Sequence, residues 1–245
     1  MTLSNRKILR TLLCLLAGTL YAVCLSACDA KEPLSENRDA EIESPVIAND
    51  LSNQKVTAIA EDTQGHIWIG TFRGLNKNNV HDYHQYFCTD DSLGLPDNQI
   101  THLLRDSKNR FWVGTVNGVC LYTDKDNFRI IPIEADNKNV RQILEDRNGR
   151  IFLNTGFQLY AYHPREEKIT CVLPEISPGN AFYAQCHIAP DNNLWVMTST
   201  GLRCYDPSTL QLKESVALNG YPYYSYLHNN ELWITGNHTL SIFDT

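Results

Sequence analysis

The feature that most constrains this chain is a short sequence pattern that returns five times at nearly even spacing. In the two clearest copies, residues 66–75 and 110–119, an aromatic residue is followed by Gly-Thr and then by a second glycine. The aromatic anchors are 44, 40, 43 and 38 residues apart, at Trp68, Trp112, Phe152, Trp195 and Trp233. Self-similar units of about 40 residues that contain strands and turns indicate the blades of a β-propeller.

The first repeat shows the plan of a blade. We predict an inner strand at 56–60, a hairpin turn at 62–65, a second strand at 66–71 and further strands near 75–77 and 83–87. Aspartate favours the start of a turn, and glycine readily adopts positive φ. An aspartate recurs once per repeat, and we interpret all four as turn residues: Asp62, Asp106, Asp146 and Asp191.

The packing between blades explains why the anchors recur. A large aromatic side chain on the second strand is predicted to fill the layer between two neighbouring blades. Gly70 and Gly114 are predicted to allow a close approach of the next element. The sequence therefore predicts an all-β propeller of four-stranded antiparallel sheets.

The predicted domain plan contains five units and is incomplete at its end. The repeats span residues 51–94, 95–135, 136–176, 177–219 and 220–245. The fifth unit ends after its third strand, and residues 45–48 are too short and proline-bounded to replace the fourth. We therefore expect an open propeller that self-associates through its open blade edges.

These motifs resemble the two-component regulator propeller repeat. Residues 98–119 carry the resemblance in the second copy, and Asp62, Gly65, residues 68–71 and residues 74–75 carry it in the first. The later repeats depart from it at the strand glycine, with Asn154, Met197 and a reversed Thr235-Gly236. The resemblance implies the extracytoplasmic sensor region of hybrid histidine kinases that control polysaccharide use. A kinase module is not recognisable in this chain, so we expect either a truncated reading frame or a stand-alone sensor piece, and not an enzyme.

The first 50 residues are predicted to direct and attach the chain rather than to fold with the repeats. Three basic residues precede an apolar run at 12–25, which is too short to span a bilayer. Residues 25–28 resemble a lipobox, which predicts a signal peptide at 1–27, lipidation of Cys28 and a flexible tether at 28–50. The alternatives are an ordinary signal peptide or an uncleaved anchor. We expect a periplasmic or cell-envelope lipoprotein held on a membrane by this lipid anchor.

The net charge of the chain bears on whether nucleic acid is a partner. The net charge is −7, and it becomes −10 without the three basic residues of the leader. An acidic chain without a basic stripe argues against nucleic acid as a partner.

No cofactor or metal is predicted. The five cysteines beyond the leader contain no CxxC motif, and we interpret them as small buried hydrophobes: Cys88, Cys120, Cys171, Cys186 and Cys204. His81 and His84 have no third ligand nearby in the sequence and are interpreted as part of a solvated loop.

The candidate ligand-binding residues are aromatic. Sugar sites use aromatic faces with a few polar groups, and a tyrosine cluster precedes the fifth inner strand. The candidates are Phe72, Arg73, Tyr221, Tyr223, Tyr224 and Tyr226. The alternative is that these tyrosines simply pack between blades, because tyrosine favours strands.

Three functions remain open from the sequence. The first is a sensor that binds a ligand, such as an oligosaccharide, or a partner. The second is a carbohydrate-active enzyme on a propeller scaffold, which would need paired carboxylates near the axis. The third is a structural fragment that binds nothing alone.

Overall fold

The computed structural model consists of β-strands and turns. It describes residues 46–89, 94–123, 125–176, 184–218 and 220–245, which belong to a compact unit that spans Ser44–Thr245. These residues form 20 strands arranged in five antiparallel sheets. The all-β propeller architecture predicted from the repeats is confirmed.

Each of the first four sheets contains four strands of one repeat, joined in chain order. Blade 1 contains β2 (Val56–Glu61), β3 (Ile67–Thr71), β4 (Gly74–Asn79) and β5 (Asp82–Tyr86). Blade 2 contains β6 (Ile100–Arg105), β7 (Phe111–Thr115), β8 (Gly118–Tyr122) and β9 (Phe128–Ile131). Blade 3 contains β10 (Gln142–Glu145), β11 (Ile151–Asn154), β12 (Leu159–His163) and β13 (Lys168–Leu173). Blade 4 contains β14 (Gln185–Ile188), β15 (Leu194–Thr198), β16 (Gly201–Tyr205) and β17 (Leu212–Ala217).

The fifth sheet has three strands, β18 (Pro222–His228), β19 (Glu231–Gly236) and β20 (Thr239–Asp244). A short strand at the start of the described chain, β1 (Val46–Ala48), does not complete it. Strand β1 pairs instead with β5 and adds a fifth strand to the outer edge of blade 1. The fifth blade therefore ends at β20 within the described chain, as expected for an open propeller.

The hairpin turns between the first two strands of each blade share one geometry. The residue three positions after the turn start has positive φ in four blades: Gly65 (83°), Asn109 (62°), Gly149 (73°) and Asn192 (70°). Glycine and asparagine are the residues that adopt this conformation most easily. Counting back from Asn192 places Ala189, not Asp191, at the position of Asp62, Asp106 and Asp146. Asp191 lies in the turn, as predicted, but two residues after the position at which the first three repeats have their aspartate.

Layers of apolar side chains join successive blades. Trp68 is fully buried, with its ring centroid 5.0 Å from Phe111 and 4.7 Å from Tyr122, both of blade 2. Trp112 is equally buried and contacts Tyr162 of blade 3 edge-on at 4.9 Å. The anchors of the first two blades fill inter-blade layers as predicted.

The anchor of the last blade behaves differently. Trp233 is 37% exposed, because no described blade follows it. Cross-strand neighbours on the same face are also exposed, with Tyr226 opposite Trp233 and Trp233 opposite Ile242. Leu240 lies on this face, opposite Thr235. We call these four apolar residues, Tyr226, Trp233, Leu240 and Ile242, the fifth-blade face. The prediction that every anchor fills an inter-blade layer is wrong for this one.

Close approach at the strand glycines is made by side chains rather than by backbone. A Cβ at Gly70 would lie 2.5 Å from Cγ2 of Ile100, on the inner strand of blade 2. At Gly114 the corresponding neighbour is Cγ1 of Val140, at 3.1 Å. Glycine at these positions lets the next inner strand pack tightly against the blade.

The cysteines follow the prediction in part. Cys120, Cys186 and Cys204 are buried, and burial raises the pKa of the Cys186 thiol to about 12. Cys88 and Cys171 are exposed, so the prediction of burial is wrong for these two. Among the residues that the structure describes, no helix is long and apolar enough to cross a membrane.

Candidate functional site: a polar cavity at the inner strands

The inner strands of all five blades contribute to one cavity of about 520 Å³. Its lining includes one or more residues from the innermost segment of each blade, among them Thr57, His102, Gln142, His187 and Ser225. Further polar lining residues are Gln99, Thr101, Asn139, Arg141, Gln185 and Tyr224. The volume lies in the range of small-ligand sites, and several polar groups converge on the cavity.

Bulges on the inner strands help to place these side chains. The register between the first two strands shifts at the same position in blades 1, 2 and 5, and the shift passes over Thr57 in blade 1 and Thr101 in blade 2. An unpaired bulge residue can aim its side chain away from the regular alternation of the strand. Thr57 and Thr101 both line the cavity.

Glutamines connect neighbouring inner strands around the cavity. Gln142 Oε1 accepts hydrogen bonds from Cys186 N at 2.9 Å and from Asn154 Nδ2 at 2.8 Å. Gln185 Oε1 accepts from Ser225 N at 2.6 Å and from Ser225 Oγ at 2.9 Å. Gln142 and Gln185 occupy the same position in blades 3 and 4, and each bonds the following blade. These bonds fix the polar wall of the cavity.

Asn154 is a departure from the repeat pattern that takes part in this wall. It is fully buried where the first two repeats have a glycine. Its Nδ2 also donates to Ala184 O at 3.1 Å, and its Oδ1 accepts from Gly156 N at 2.6 Å. The substitution therefore links blades 3 and 4 with polar contacts where glycine gives close packing.

Two histidines of the lining are held neutral by burial. Burial lowers the pKa of His187 to about 4, and its Nε2 lies 2.8 Å from Ser225 Oγ. Burial also lowers the pKa of His102, against a smaller opposing effect from a hydrogen bond with the Ile143 backbone. At neutral pH both rings therefore present neutral imidazoles to the cavity.

Among the described residues of the lining, Arg141, which precedes β10, carries a formal charge. Its backbone N–H donates to Asn154 O at 2.8 Å, which fixes the start of the blade 3 inner strand. Among the described residues that line the cavity there is no aspartate or glutamate. The paired carboxylates required by the enzymatic alternative are therefore not part of this lining.

The structure places the six predicted ligand-binding residues in different surroundings. Tyr224 lines the cavity, with 56% of its surface exposed. Phe72 and Arg73 form the exposed turn between β3 and β4, where Lys55 Nζ lies 3.8 Å from the Phe72 ring centroid. Tyr221 and Tyr223 are exposed at the start of β18, and Tyr226 belongs to the fifth-blade face. Their roles remain predictions.

Sequence reasoning missed most of the cavity lining. Its glutamines, asparagine, threonines and histidines stand in no motif, and only the bulges and the axial position of the inner strands bring them together. The one signal available was position, because each lies in or just before the first strand of a repeat. Cys28 lies outside the described residues.

A second cavity, of about 300 Å³, lies between blades 1 and 2. Lys77 Nζ donates to Tyr122 OH at 3.3 Å, and Tyr122 and Tyr86 both donate to Asp126 Oδ1 at 2.7 Å. Burial alone would raise the pKa of Asp126, but these hydrogen bonds hold it below its usual value. In this network the charged groups of Lys77 and Asp126 connect the two blades through hydrogen bonds.

The described residues contain no group of three or more side chains that could bind a metal ion. His84, one of the two histidines considered from the sequence, has its Nε2 4.0 Å from Asp82 Oδ1.

Comparison with known families matches two segments of the chain, residues 50–73 and 94–117, to the two component regulator propeller model. Two of the five repeats are thus similar to the two-component regulator propeller repeat. These segments contain the first two anchors, so the resemblance inferred from the motifs is confirmed. The sequence has no match among curated proteins.

Solved structures with similar folds belong to proteins of several kinds. One is the extracellular domain of a hybrid two-component system from B. thetaiotaomicron, with TM-score 0.63 and 20% identity over 77% of this chain. Another is virginiamycin B lyase from Staphylococcus aureus, with TM-score 0.58 and 16% identity over 81% of this chain and 73% of the lyase. A third is PorZ, a surface component of the type-IX secretion system of Porphyromonas gingivalis, with TM-score 0.57 and 16% identity over 86% of this chain and 34% of PorZ.

At these identities the likeness shows the propeller fold alone. The chain spans 27% of the length of the B. thetaiotaomicron domain.

Proposed function

We propose that this propeller region is the ligand-sensing part of an extracytoplasmic two-component system and that it binds a carbohydrate in the central cavity. The observation that carries the proposal is the polar lining, to which all five inner strands contribute. The two matched repeats and the extracellular two-component structure support the sensor context. Amide, hydroxyl and imidazole groups together supply the donors and acceptors that sugar hydroxyls need.

The aromatic side chain of Tyr224 gives this site a surface for a sugar ring. It is exposed and lies beside Ser225, whose hydroxyl is held by Gln185 and His187. A sugar ring can stack its apolar face on the aromatic ring while its hydroxyl groups form hydrogen bonds with the fixed polar groups. Tyr224 is the one predicted ligand-binding residue that supports the proposal directly.

Calorimetric titration of the chain with a panel of oligosaccharides tests the proposal. We expect at least one glycan to bind, with affinity reduced roughly tenfold in Tyr224→Ala because the aromatic face on which the sugar ring stacks is lost. The matched control is Tyr221→Ala, which removes a tyrosine of similar exposure outside the lining. Equal loss in both variants, or no binding by any glycan, would contradict the proposal.

We also propose that the chain is exported and held at the membrane through Cys28. The support is the short apolar run followed by Leu25-Ser26-Ala27-Cys28, together with the extracellular origin of the similar two-component structure. Metabolic labelling with a radioactive fatty acid should mark the wild-type chain. Equal labelling of Cys28→Ala would overturn this assignment, and Cys24→Ala is the matched control that should keep the label.

A further inference from the structure

We infer that the cavity between blades 1 and 2 binds a small zwitterion, an α-amino acid, independently of the carbohydrate proposed for the central cavity. The inference goes beyond the proposed function and concerns a different part of the molecule. It depends on the charges that line this second cavity and on which of them the fold has already used.

The second cavity is small, and its described lining carries charges of both signs. Its volume of about 300 Å³ is at the lower end of the range for small-ligand sites, which suits an amino acid better than an oligosaccharide. The charged lining residues are two carboxylates, Asp62 and Asp126, and two cations, Lys77 and Arg105. A ligand with one charge of each sign can pair both of its charges here, whereas a purely anionic or cationic ligand would also meet like charges.

The two carboxylates differ in what they leave for a ligand. Asp62 is occupied by its own turn, whose backbone N–H groups donate to Oδ1, and by the Trp68 indole, which donates to Oδ2. Asp126 accepts the hydroxyls of Tyr86 and Tyr122 at Oδ1 alone. Although burial raises the pKa of Asp126, these hydrogen bonds hold it below its usual value, so the group is ionised at neutral pH. Within the described chain its Oδ2 accepts no hydrogen bond and is available to the ammonium group of a ligand.

Neither cation of the lining is neutralised by a carboxylate of the described chain. Lys77 Nζ donates to Tyr122 OH at 3.3 Å and lies 5.2 Å from the Trp68 ring centroid, but it forms no ion pair there. Arg105 is exposed, and its Nη1 donates to the backbone oxygen of Asp62 at 3.0 Å. Its other guanidinium N–H groups can donate to the two oxygens of a ligand carboxylate, a pairing that guanidinium geometry favours.

The uncharged part of the lining admits more than one kind of amino acid side chain. Phe111 supplies an apolar surface, and Gln64, Asn109 and Thr123 supply amide and hydroxyl groups. A polar or an apolar side chain could therefore be accommodated. Recognition of the ammonium group by Asp126 and of the carboxylate by Arg105 is the part of the inference that experiment can separate.

Calorimetric titration of the full chain with L-serine and L-phenylalanine, one polar and one apolar amino acid, tests the inference. Each is compared with an analogue that lacks the carboxylate and one that lacks the amino group: ethanolamine and hydroxypropionate for serine, phenethylamine and phenylpropionate for phenylalanine. We expect at least one amino acid to bind roughly tenfold more tightly than both of its analogues. Binding of neither amino acid, or equally tight binding of an analogue, would overturn the inference.

Two variants connect the preference to the charges of the cavity. Asp126→Asn keeps an oxygen for the tyrosine hydroxyls but removes the charge, so the amino acid should lose its advantage over the analogue without the amino group. Arg105→Gln should instead reduce the advantage over the analogue without the carboxylate, and its melting temperature should stay near that of the wild type because the side chain is exposed. Preferences unchanged in both variants would overturn the inference.

Matched controls separate these effects from general changes in charge and from the central cavity. Asp136→Asn and Arg147→Gln alter exposed residues outside the lining and should bind amino acids as the wild type does. Tyr224→Ala, which alters the central cavity, should also leave amino acid binding unchanged. A loss in these controls equal to that in Asp126→Asn and Arg105→Gln would contradict the assignment of the ligand to this cavity.

Discussion

At the scale of the residue, the turn aspartate does more than start a hairpin. Asp106 Oδ1 accepts from the backbone N–H groups of Lys108 and Arg110, and Oδ2 accepts from the Trp112 indole at 2.8 Å. Asp62 binds the Trp68 indole in the same way at 2.9 Å. One carboxylate therefore fixes both the turn and the rotamer of the anchor. This second role explains why the aspartate and tryptophan occur together six residues apart.

Blade 4 shows what happens when the aspartate is missing. Ala189 occupies its position, and the Trp195 indole N–H is buried with no hydrogen-bond partner in the described part of the chain. An unsatisfied buried donor costs about 1–3 kcal/mol. The free energy of unfolding should therefore be lower than that of a chain whose fourth blade kept the aspartate.

The first prediction restores this contact. Ala189→Asp should raise the free energy of unfolding by about 1 kcal/mol, because the carboxylate would accept from the turn and from the Trp195 indole. Urea unfolding of the variant and the wild type measures the change. Ala189→Val is the matched control without an acceptor, and a similar gain in that variant would contradict the role assigned to the indole.

The second prediction concerns pH. Burial alone would raise the pKa of Asp62, but hydrogen bonds from the Trp68 indole and from the turn lower it below its ordinary value of 3.8. The ionised carboxylate thus stabilises the fold above the pKa of the unfolded chain, and this stabilisation is lost as pH falls through the lower folded value.

Asp62→Asn isolates that effect. The difference in unfolding free energy between wild type and variant should be full at pH 7 and should shrink as pH falls below about 4, where the carboxylate is protonated in the unfolded chain before it is protonated in the folded chain. Urea unfolding at a series of pH values gives the difference directly. A difference that stays constant down to pH 2.5 would show that ionisation of Asp62 makes no contribution.

At the scale of the element, the blades of the first two repeats could be read from the sequence in detail. The reason is local: a strand that packs on both faces needs a large anchor, and the turn that precedes it needs a residue with positive φ. The same local rules did not show that Asp191 lies inside its turn, whereas the aspartates of the first three repeats stand at the start of theirs. They also could not predict that β1 joins blade 1, because three residues carry too little pattern to choose a partner strand.

The cavity was less predictable than the blades. Thr57 and Thr101 reach it through bulges, and Gln142 and Gln185 through bonds to the next blade. These hydrogen bonds join residues about 40 positions apart in the sequence. Threonine and glutamine are common on any polar surface, so their presence in the sequence does not indicate such a contact. Only Tyr224 combined a sequence signal with a place in the lining.

The third prediction compares anchors in covered and uncovered layers. Trp68→Ala and Trp112→Ala should each lower the free energy of unfolding by about 3–5 kcal/mol, as expected for large aromatic side chains in a packed core. Trp233→Ala is the matched control and should cost about 1 kcal/mol or less, because its face is not covered. Urea unfolding measures all three, and equal losses would contradict the assignment of layers.

The fourth prediction tests close packing between blades. Gly70→Ala should lower stability by about 1–3 kcal/mol, because the new Cβ would overlap Ile100 and force blade 2 to shift. Gly114→Ala meets its neighbours at 3.1 Å or more and should cost less. Thermal unfolding of the pair gives the order, and a larger loss at Gly114 would contradict the packing described here.

At the scale of the whole molecule, the two ends of the row of blades are unlike its middle. The fifth-blade face exposes Trp233, Leu240 and Ile242, and blade 1 exposes Ile59 and Ile67 on the side away from blade 2. Apolar faces of this kind are commonly sites of association. A contact between the first blade of one copy and the fifth blade of another would be head-to-tail and would not close by two-fold symmetry.

We therefore expect residues 29–245 to self-associate. Light scattering should show an apparent mass that rises with protein concentration, because association removes these apolar faces from water. Ile242→Lys should suppress the rise, whereas Leu212→Lys, at an exposed apolar residue on the outer strand of blade 4, should not. A strictly monomeric wild-type protein would contradict the expectation.

The central claim is that no blade of this chain covers the fifth-blade face, and tryptophan quenching tests it most directly. Of the four tryptophans, Trp68, Trp112 and Trp195 are buried and Trp233 is not. At concentrations low enough to prevent association, iodide should quench a distinct accessible fraction of the fluorescence, and Trp233→Phe should abolish that fraction. If the accessible fraction were absent from the wild type, or unchanged in Trp233→Phe, the fifth blade would be covered and the propeller would not be open.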